Sequence, residues 1–223
     1  MTKTLFITGA SSGIGAATAK AATAAGWNVG LFARSEDKLN DLVAEIGAQA
    51  MALPGDATSY EAQKDALDKL AENFGQVDAV FANAGRGTAQ GGTEKGDPED
   101  WKSMVDLNVM GALYTAHAAM PHLRKTTGQY VVTGSAAGRR HIKGSIYGAT
   151  KFFIHGFAGN LADEMAEWGG RCMVVSPGMV NTAFFDEAKP DKLQPDDVAS
   201  AVMHALEAPA HAAVREIHLM PVG

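Results

Sequence analysis

The stretch Thr4–Gly26, TLFITGASSGIGAATAKAATAAG, decides how the rest of the chain is read. Thr4 to Thr8 is a short run with no polar face, which predicts a strand covered on both sides. Three glycines, Gly9, Gly13 and Gly15, then break the run, and an alanine-rich helix follows to about Ala25, with Gly26 as its stop signal. Strand, glycine turn and helix in that order form the first half of a βαβ unit.

The alternation continues to the end of the chain. Asn28–Ala33 reads as a second strand, Ser35 as the cap of a helix to about Ile46, and Ala50–Leu53 as a weaker third strand. A helix over Ser59–Phe74 leads to a strand over Val77–Ala82 and a glycine-punctuated loop from Gly85 to Gly96. Asp97-Pro98 pairs an N-cap with proline at the first helical position and opens one helix running to about Leu123. Then come a strand at Tyr130–Thr133, a helix at Ile146–Trp168, a strand at Cys172–Ser176, the irregular segment Pro177–Thr182, a helix at Pro195–Glu207 and a last strand at Glu216–Leu219. The pattern predicts one α/β domain over residues 1–223, a Rossmann-type doubly wound parallel sheet of about seven strands with helices on both faces. Such sheets bind ligands at the carboxyl ends of their strands.

Composition narrows the function classes. The 223 residues are 46% hydrophobic and 20% charged, ordinary for a soluble globular protein, and the net charge of −6 without any basic run argues against nucleic acid as a partner. Cys172 is the only cysteine, so no internal disulfide forms, and its apolar flanks mark it as a core residue. No run of eighteen apolar residues occurs, and the apolar run near Met1 is too short for a signal peptide. The expectation is a cytoplasmic protein with no membrane partner. Seven histidines form no ligand-like cluster with acids or Cys172, so no metal is expected.

Gly9, Gly13 and Gly15 stand where backbone amides and a helix dipole can receive a pyrophosphate that side chains would obstruct. Their spacing, G-x-x-x-G-x-G, differs from the common G-x-G-x-x-G. Gly9-Ala10-Ser11-Ser12-Gly13 also satisfies the nucleophile elbow G-x-S-x-G, but the chain before Gly9 is too short for the oxyanion loop and no Asp and His pair stands out downstream. The second strand ends Phe32-Ala33-Arg34-Ser35. A cation and a hydroxyl at this point favour NADP over NAD, with Glu36 and Asp37 as nearby acids on the other side of the balance.

A second motif lies in Ser135–Lys151, SAAGRRHIKGSIYGATK. On a helix, Tyr147 and Lys151 share a face and can reach one small ligand. The spacing alone is weak, since Tyr60 and Lys64 repeat it.

As a set, these residues are similar to the short-chain dehydrogenase/reductase family, and the match runs over essentially the whole chain. Thr8–Gly15, with Ser11, Ser12 and Ile14 among the glycines, resembles its cofactor loop. Asp56, followed by Ala57, resembles the acid after the third strand that contacts the adenine region, and Asn83-Ala84-Gly85 its fourth-strand motif. Asn108 resembles the catalytic asparagine, and Ser135, Tyr147 and Lys151 the catalytic serine, tyrosine and lysine. Pro177-Gly178, with Val180 and Thr182 beyond, resembles the cofactor loop after the sixth strand, where Thr182 would hold the nicotinamide carboxamide. Ser135 lies twelve residues before Tyr147, where many members have thirteen; it is preferred because it directly follows the strand, and Ser145 stays open as the alternative. Tyr60 and Lys64 fall on the adenine side and read as helix-surface residues.

The resemblance implies an NADP-dependent carbonyl reductase or alcohol dehydrogenase acting on a small carbonyl or alcohol. Tyr147 would be the general acid/base, Ser135 would hydrogen-bond the substrate oxygen, Lys151 would tune the tyrosine and bind the nicotinamide ribose, and Asn108 would hold a relay water. A free tyrosine has a pKa of about 10, and bringing it near 7 corresponds to about 4 kcal/mol of differential stabilisation. Phe184, Phe185, Met179, His141 and Arg86 are candidate pocket residues, and Arg139-Arg140-His141 reads as a solvated basic turn. The two long helices carry apolar residues around much of their circumference and resemble those that pair across subunits, so a homodimer or homotetramer is expected. The reading from another class is a nucleotide-sensing regulator of the same fold; an intact serine, tyrosine, lysine and asparagine set argues against it.

Overall fold

A computed structural model of the chain describes residues 2–185 and 187–222. Its seven strands are β1 (Thr4–Thr8), β2 (Asn28–Ala33), β3 (Ala50–Pro54), β4 (Ala79–Ala82), β5 (Gln129–Thr133), β6 (Arg171–Pro177) and β7 (Glu216–Leu219). They form one sheet, ordered β3-β2-β1-β4-β5-β6-β7, in which every neighbouring pair is parallel. The strand order reverses between β1 and β4, and a crevice at the carboxyl ends of the sheet opens at such a point.

Alternate side chains of each strand feed two cores. Phe6 of β1, Tyr130 and Val132 of β5, and Cys172 and Val174 of β6 face one way. There they meet α3 (Tyr60–Phe74), α5 (Ala112–Thr126) and α6 (Ile146–Ala166). Leu5 and Ile7, Val131, and Met173 and Val175 face the other way, towards α1 (Gly13–Ala24), α2 (Glu36–Ile46) and α7 (Pro195–Leu206). This period of two explains why the strands read as unbroken apolar runs: both faces are covered. Cys172 sits in the first core, and burial pushes its thiol up to about 12, which leaves it inert at neutral pH.

Three local expectations change. The single helix expected from Pro98 to Leu123 is α4 (Pro98–Val105), a π-helical turn (Asp106–Gly111) and α5, which runs on to Thr126. At the end of the wide turn the Gly111 carbonyl accepts from Gln63 Nε2 and Thr115 Oγ1 at 3.0 and 2.8 Å. Periodicity does not register an added residue, but such insertions mark functional positions, and Asn108 lies inside this one. Ser35 occupies the N-cap of α2 without a side-chain cap bond; Glu36 and Asp37 in the first turn complement the helix dipole. Helix α6 ends at Ala166, where the chain tightens into a turn (Trp168 N to Met165 O, 3.2 Å) before Gly169 at φ +81°.

Candidate active site

The glycine loop joins β1 to α1 at the crevice. Gly9 has φ +67° and Gly13 +54°, left-handed conformations that side chains resist. A Cβ at Gly9 would lie 3.0 Å from Ala84 Cα, and one at Gly15 would lie 2.3 Å from the Gly9 carbonyl oxygen, so the loop folds tightly against the end of β4. At Gly13 the nearest atom is Thr182 Cγ2, at 3.1 Å from such a Cβ. The segment after β6 therefore meets the cofactor loop across the crevice. The first turn of α1 has no acidic residue and Ser12 makes no side-chain cap bond, which leaves the N-terminal amides for an anion.

Other residues matched to the cofactor are arranged around this loop. Asn83 and Ala84 donate their backbone N–H groups to Thr8 Oγ1 at 3.0 and 3.1 Å. The Asn83 side chain donates to Thr8 O at 3.2 Å and accepts from Thr133 Oγ1 at 3.1 Å, tying together the ends of β1, β4 and β5. Arg34 projects into solvent at the end of β2, which the loop touches through the Ala10 N to Phe32 O bond of 3.2 Å. Asp56 Oδ1 accepts from both the backbone N–H and the hydroxyl of Thr58 at 2.8 Å, closing a turn beside buried Ala57. Val180 is buried and bridges Leu193, and Gly178 N donates to Leu219 O, which anchors the Pro177–Thr182 segment.

Ser135, Tyr147, Lys151 and Asn108 come from four different places: the turn after β5, two successive levels of α6, and the π turn. Lys151 is 4% exposed. Its ammonium donates to Thr133 O at 2.8 Å and lies 5.6 Å from the centre of the Tyr147 ring. Thr133 O is its one hydrogen-bond partner among the described residues, so a buried group with three donors has two left for a ligand. That is a fit for ribose hydroxyls. Asn108, 2% exposed, accepts from Arg86 N and donates to Arg86 O, each at 2.9 Å, and donates to Thr150 Oγ1 at 3.3 Å. The carboxamide thereby clamps the Gly85–Gly96 loop to α6. A relay water would have to use the second lone pair of its Oδ1.

The two candidate serines separate by local bonding. Ser145 is the N-cap of α6, its Oγ accepting from Gly148 N at 2.9 Å. Ser135 Oγ accepts from Ala137 N at 3.1 Å, and its side chain lies close enough to the Tyr147 phenol to oppose the rise in the phenol's pKa.

Comparison with known proteins places this arrangement. The family model described as short chain dehydrogenase matches residues 3–193. The chain belongs to the short-chain dehydrogenase family. An uncharacterized oxidoreductase of Staphylococcus epidermidis is 34% identical, over 99% of this chain and 97% of that protein. An alcohol dehydrogenase from the archaeon Thermococcus sibiricus, solved with 5-hydroxy-NADP, superimposes with a TM-score of 0.90 at 31% identity, covering 100% of this chain and 97% of that one. The closed form of serine dehydrogenase complexed with NADP+ gives a TM-score of 0.91 at 26% identity, covering 98% and 94%. This short-chain dehydrogenase is thus a nicotinamide-dependent oxidoreductase.

Electrostatics in the dehydrogenase site are governed by burial. Burial pushes the Tyr147 phenol up, with Ser135 opposing it, and burial pushes Lys151 down to about 8. Loss of water disfavours the charged form of each group, and Lys151 faces a carbonyl rather than an acid.

The substrate side is aromatic. Phe184 meets the Tyr147 ring at 5.5 Å and Phe185 at 5.3 Å, and a Cβ at Gly87 would lie 3.2 Å from Phe184 Cζ. Arg86 is spent in an ion pair with Asp100 and a 3.0 Å bond to Ser103. Arg139, Arg140 and His141 are exposed, as a solvated basic turn requires; Arg139 also pairs with Glu216 from its solvated position, and His141 stacks on Phe152. Met179 is half exposed. Sequence reasoning missed Thr133 and Thr150, whose carbonyl and hydroxyl accept from Lys151 and Asn108 respectively. A threonine at the end of an apolar strand or inside a helix carries no pattern of its own, so no sequence signal distinguished them.

Proposed function

We propose that this dehydrogenase is an NADP-dependent carbonyl reductase or alcohol dehydrogenase in which Tyr147 exchanges a proton with the substrate oxygen. The observation that carries the reading is the convergence of Ser135, Tyr147 and buried Lys151 beside the glycine cradle. The bound nicotinamide supplies the hydride and, when oxidised, a positive charge. The amides from Gly9 to Gly15, with Ser11, Ser12 and Ile14, hold the pyrophosphate. Arg34, exposed at the end of β2, receives the 2′-phosphate. Asp56 and Ala57 border the adenine, and Asn83, Ala84 and Gly85 support the ribose side with Lys151. Pro177, Gly178, Val180 and Thr182 carry the carboxamide end.

Burial keeps the Tyr147 phenol protonated at neutral pH, which suits it to donate to a carbonyl oxygen during reduction while Ser135 hydrogen-bonds the same oxygen. Abstracting a proton from an alcohol draws instead on the positive charge of Lys151 and of the oxidised cofactor. The aromatic wall of Phe184 and Phe185, together with the neutralisation of Arg86 and Arg139, favours an uncharged substrate. A regulator that only senses the nucleotide has no need to bury a lysine at this cost in solvation. The test is oxidation of NADPH and NADH against a panel of ketones, aldehydes and keto acids. Turnover is expected with NADPH and neutral carbonyls, and Arg34→Ala is expected to raise KM for NADPH about tenfold or more, the loss of one charge-assisted bond, without changing KM for NADH. No turnover across the panel, or equal loss with both cofactors, contradicts the reading.

A homodimer or homotetramer built on α5 and α6 completes the proposal. A groove of about 540 Å³ lies between these helices and α3, lined by Tyr60, Leu113, Tyr114, Met120, Phe157 and Leu161. Sedimentation that gave a monomer mass at every concentration would refute it.

A further inference from the structure

His155 follows Lys151 by one turn of α6 and takes no part in the chemistry described so far. Its side chain is 14% exposed. Nε2 lies 3.1 Å from Ser176 Oγ, on a residue with no exposed surface, and Nδ1 lies 3.7 Å from Glu216 Oε1. Serine, histidine and glutamate in this order have the composition of a hydrolytic triad, but Ser176 is enclosed within β6 and meets no substrate. The cluster has to act on the protein itself.

What it touches is the turn that carries Ser135. A Cβ at Gly134 would come within 2.8 Å of His155 Nε2 and 2.9 Å of Ser176 Oγ; one at Gly138 would come within 2.8 Å of His155 Cδ2 and 2.7 Å of the Lys151 carbonyl. The two glycines that bracket Ser135 thus rest on the imidazole and on α6. Beyond the turn, Arg139 donates from Nε to Glu216 Oε1 at 2.8 Å, so the carboxylate nearest His155 also anchors the far end of the segment.

We propose that His155 is a positioning residue, a neutral imidazole keyed between Ser176 and Glu216 that holds residues 134–139 so that Ser135 meets Tyr147. This rests on the acid/base reading above. The groups facing the ring are Ser176 from β6, Glu216 and His218 from β7, Arg139 from the turn, and Lys151 from α6. Burial is the largest influence against a positive ring, and Arg139, Lys151 and His218 add to it; the Ser135 backbone favours the charged form, and the one carboxylate is already engaged by Arg139. Protonation therefore disturbs the key, and turnover is expected to fall on the acid side as His155 charges.

The experiment measures kcat, KM for NADPH and KM for the carbonyl in His155→Leu, His155→Gln and Ser135→Ala, and in the double variant of His155→Leu with Ser135→Ala. Displacing a hydrogen-bonding group from its working position costs roughly 10- to 100-fold, so His155→Leu is expected to lower kcat within that range while KM for NADPH stays within about twofold. In the Ser135→Ala background the same change is expected to cost almost nothing, because the group it positions is gone. The carboxamide of His155→Gln, which both donates and accepts but does not titrate, is expected to restore most of kcat and to flatten the acid limb. Equal losses in both backgrounds, or unchanged kcat in His155→Leu, overturn the proposal while leaving the acid/base reading intact. Full turnover by Ser135→Ala overturns both. If His155→Leu does not fold, Ser176→Ala removes the other half of the key and has to show the same dependence on Ser135.

Discussion

The chain contains the same pair twice: Tyr147 with Lys151 on α6, and Tyr60 with Lys64 on α3. Local geometry is alike, and the surroundings are opposite. Lys151 is buried at the carboxyl ends of β4 and β5 with a carbonyl as its partner, and burial pushes it down to about 8. Lys64 is exposed, pairs with Asp68 at 3.0 Å, and is held above its ordinary value by that carboxylate. Tyr147 faces Ser135 and Phe184, whereas Tyr60 bonds His117 at 3.0 Å on the outer groove. A four-residue spacing brings two side chains together; the sheet end decides whether they can do chemistry.

The largest separation between the two pairs is expected in turnover. Tyr147→Phe removes the proton donor and is expected to lower kcat by about 10³-fold, within the range for general acid/base groups. Tyr60→Phe is expected to leave kcat unchanged, and comparable losses in the two variants would erase the distinction. Steady-state kinetics with NADPH binding measured separately decides it.

Next comes the pH dependence of stability. A lysine whose folded pKa is lowered binds fewer protons folded than unfolded, so stability rises with pH between the folded value of about 8 and the unfolded value near 10.5. The cost of burying the charged Lys151, full below pH 8, is about 3 kcal/mol from that difference. Lys151→Met is expected to lose this rise, flattening the profile relative to wild type in denaturant titrations from pH 8 to 10. Lys64 has the opposite sign: its pairing with Asp68 stabilises below its unfolded pKa and fades above it. Lys64→Met is therefore expected to run parallel to wild type across the window, and a slope like that of Lys151→Met would refute the contrast.

The smallest effects sharpen the site itself. Ser135→Ala is expected to lower kcat by about 30-fold, through one lost hydrogen bond to the substrate oxygen, with little change in stability. Ser145→Ala, which removes a helix cap, is expected to cost about 1 kcal/mol of stability and little turnover. The reverse result would move the active serine to position 145. Unfolding midpoints and kcat for both variants read the two effects independently.

Much of this was legible along the chain because its causes are local. The strands of the parallel sheet are covered on both faces, so they read as apolar runs, and Gly9, Gly13 and Gly15 answer to a turn that side chains cannot make. Departures arose where a long-range contact overrode the local pattern. The helix expected to run unbroken from Pro98 widens at Asp106–Gly111, where Gln63 and Thr115 donate to the Gly111 carbonyl. Arg139 is exposed as expected, but its partner, Glu216, lies 77 positions away, where no local pattern names it. Desolvation shifts both Tyr147 and Lys151 towards their neutral forms, and no spacing encodes how much water a folded site excludes.

The sequence alone therefore determined the alternation of strands and helices, the cofactor-loop glycines and the residue types near the chemistry, since periodicity and backbone conformation are properties of neighbouring residues. Tertiary structure alone decided how completely Lys151 is buried at the sheet end, which far-off partner Arg139 finds, and what His155 supports. Those outcomes depend on solvent exclusion and on partners far apart in the chain, which exist only once the sheet has assembled.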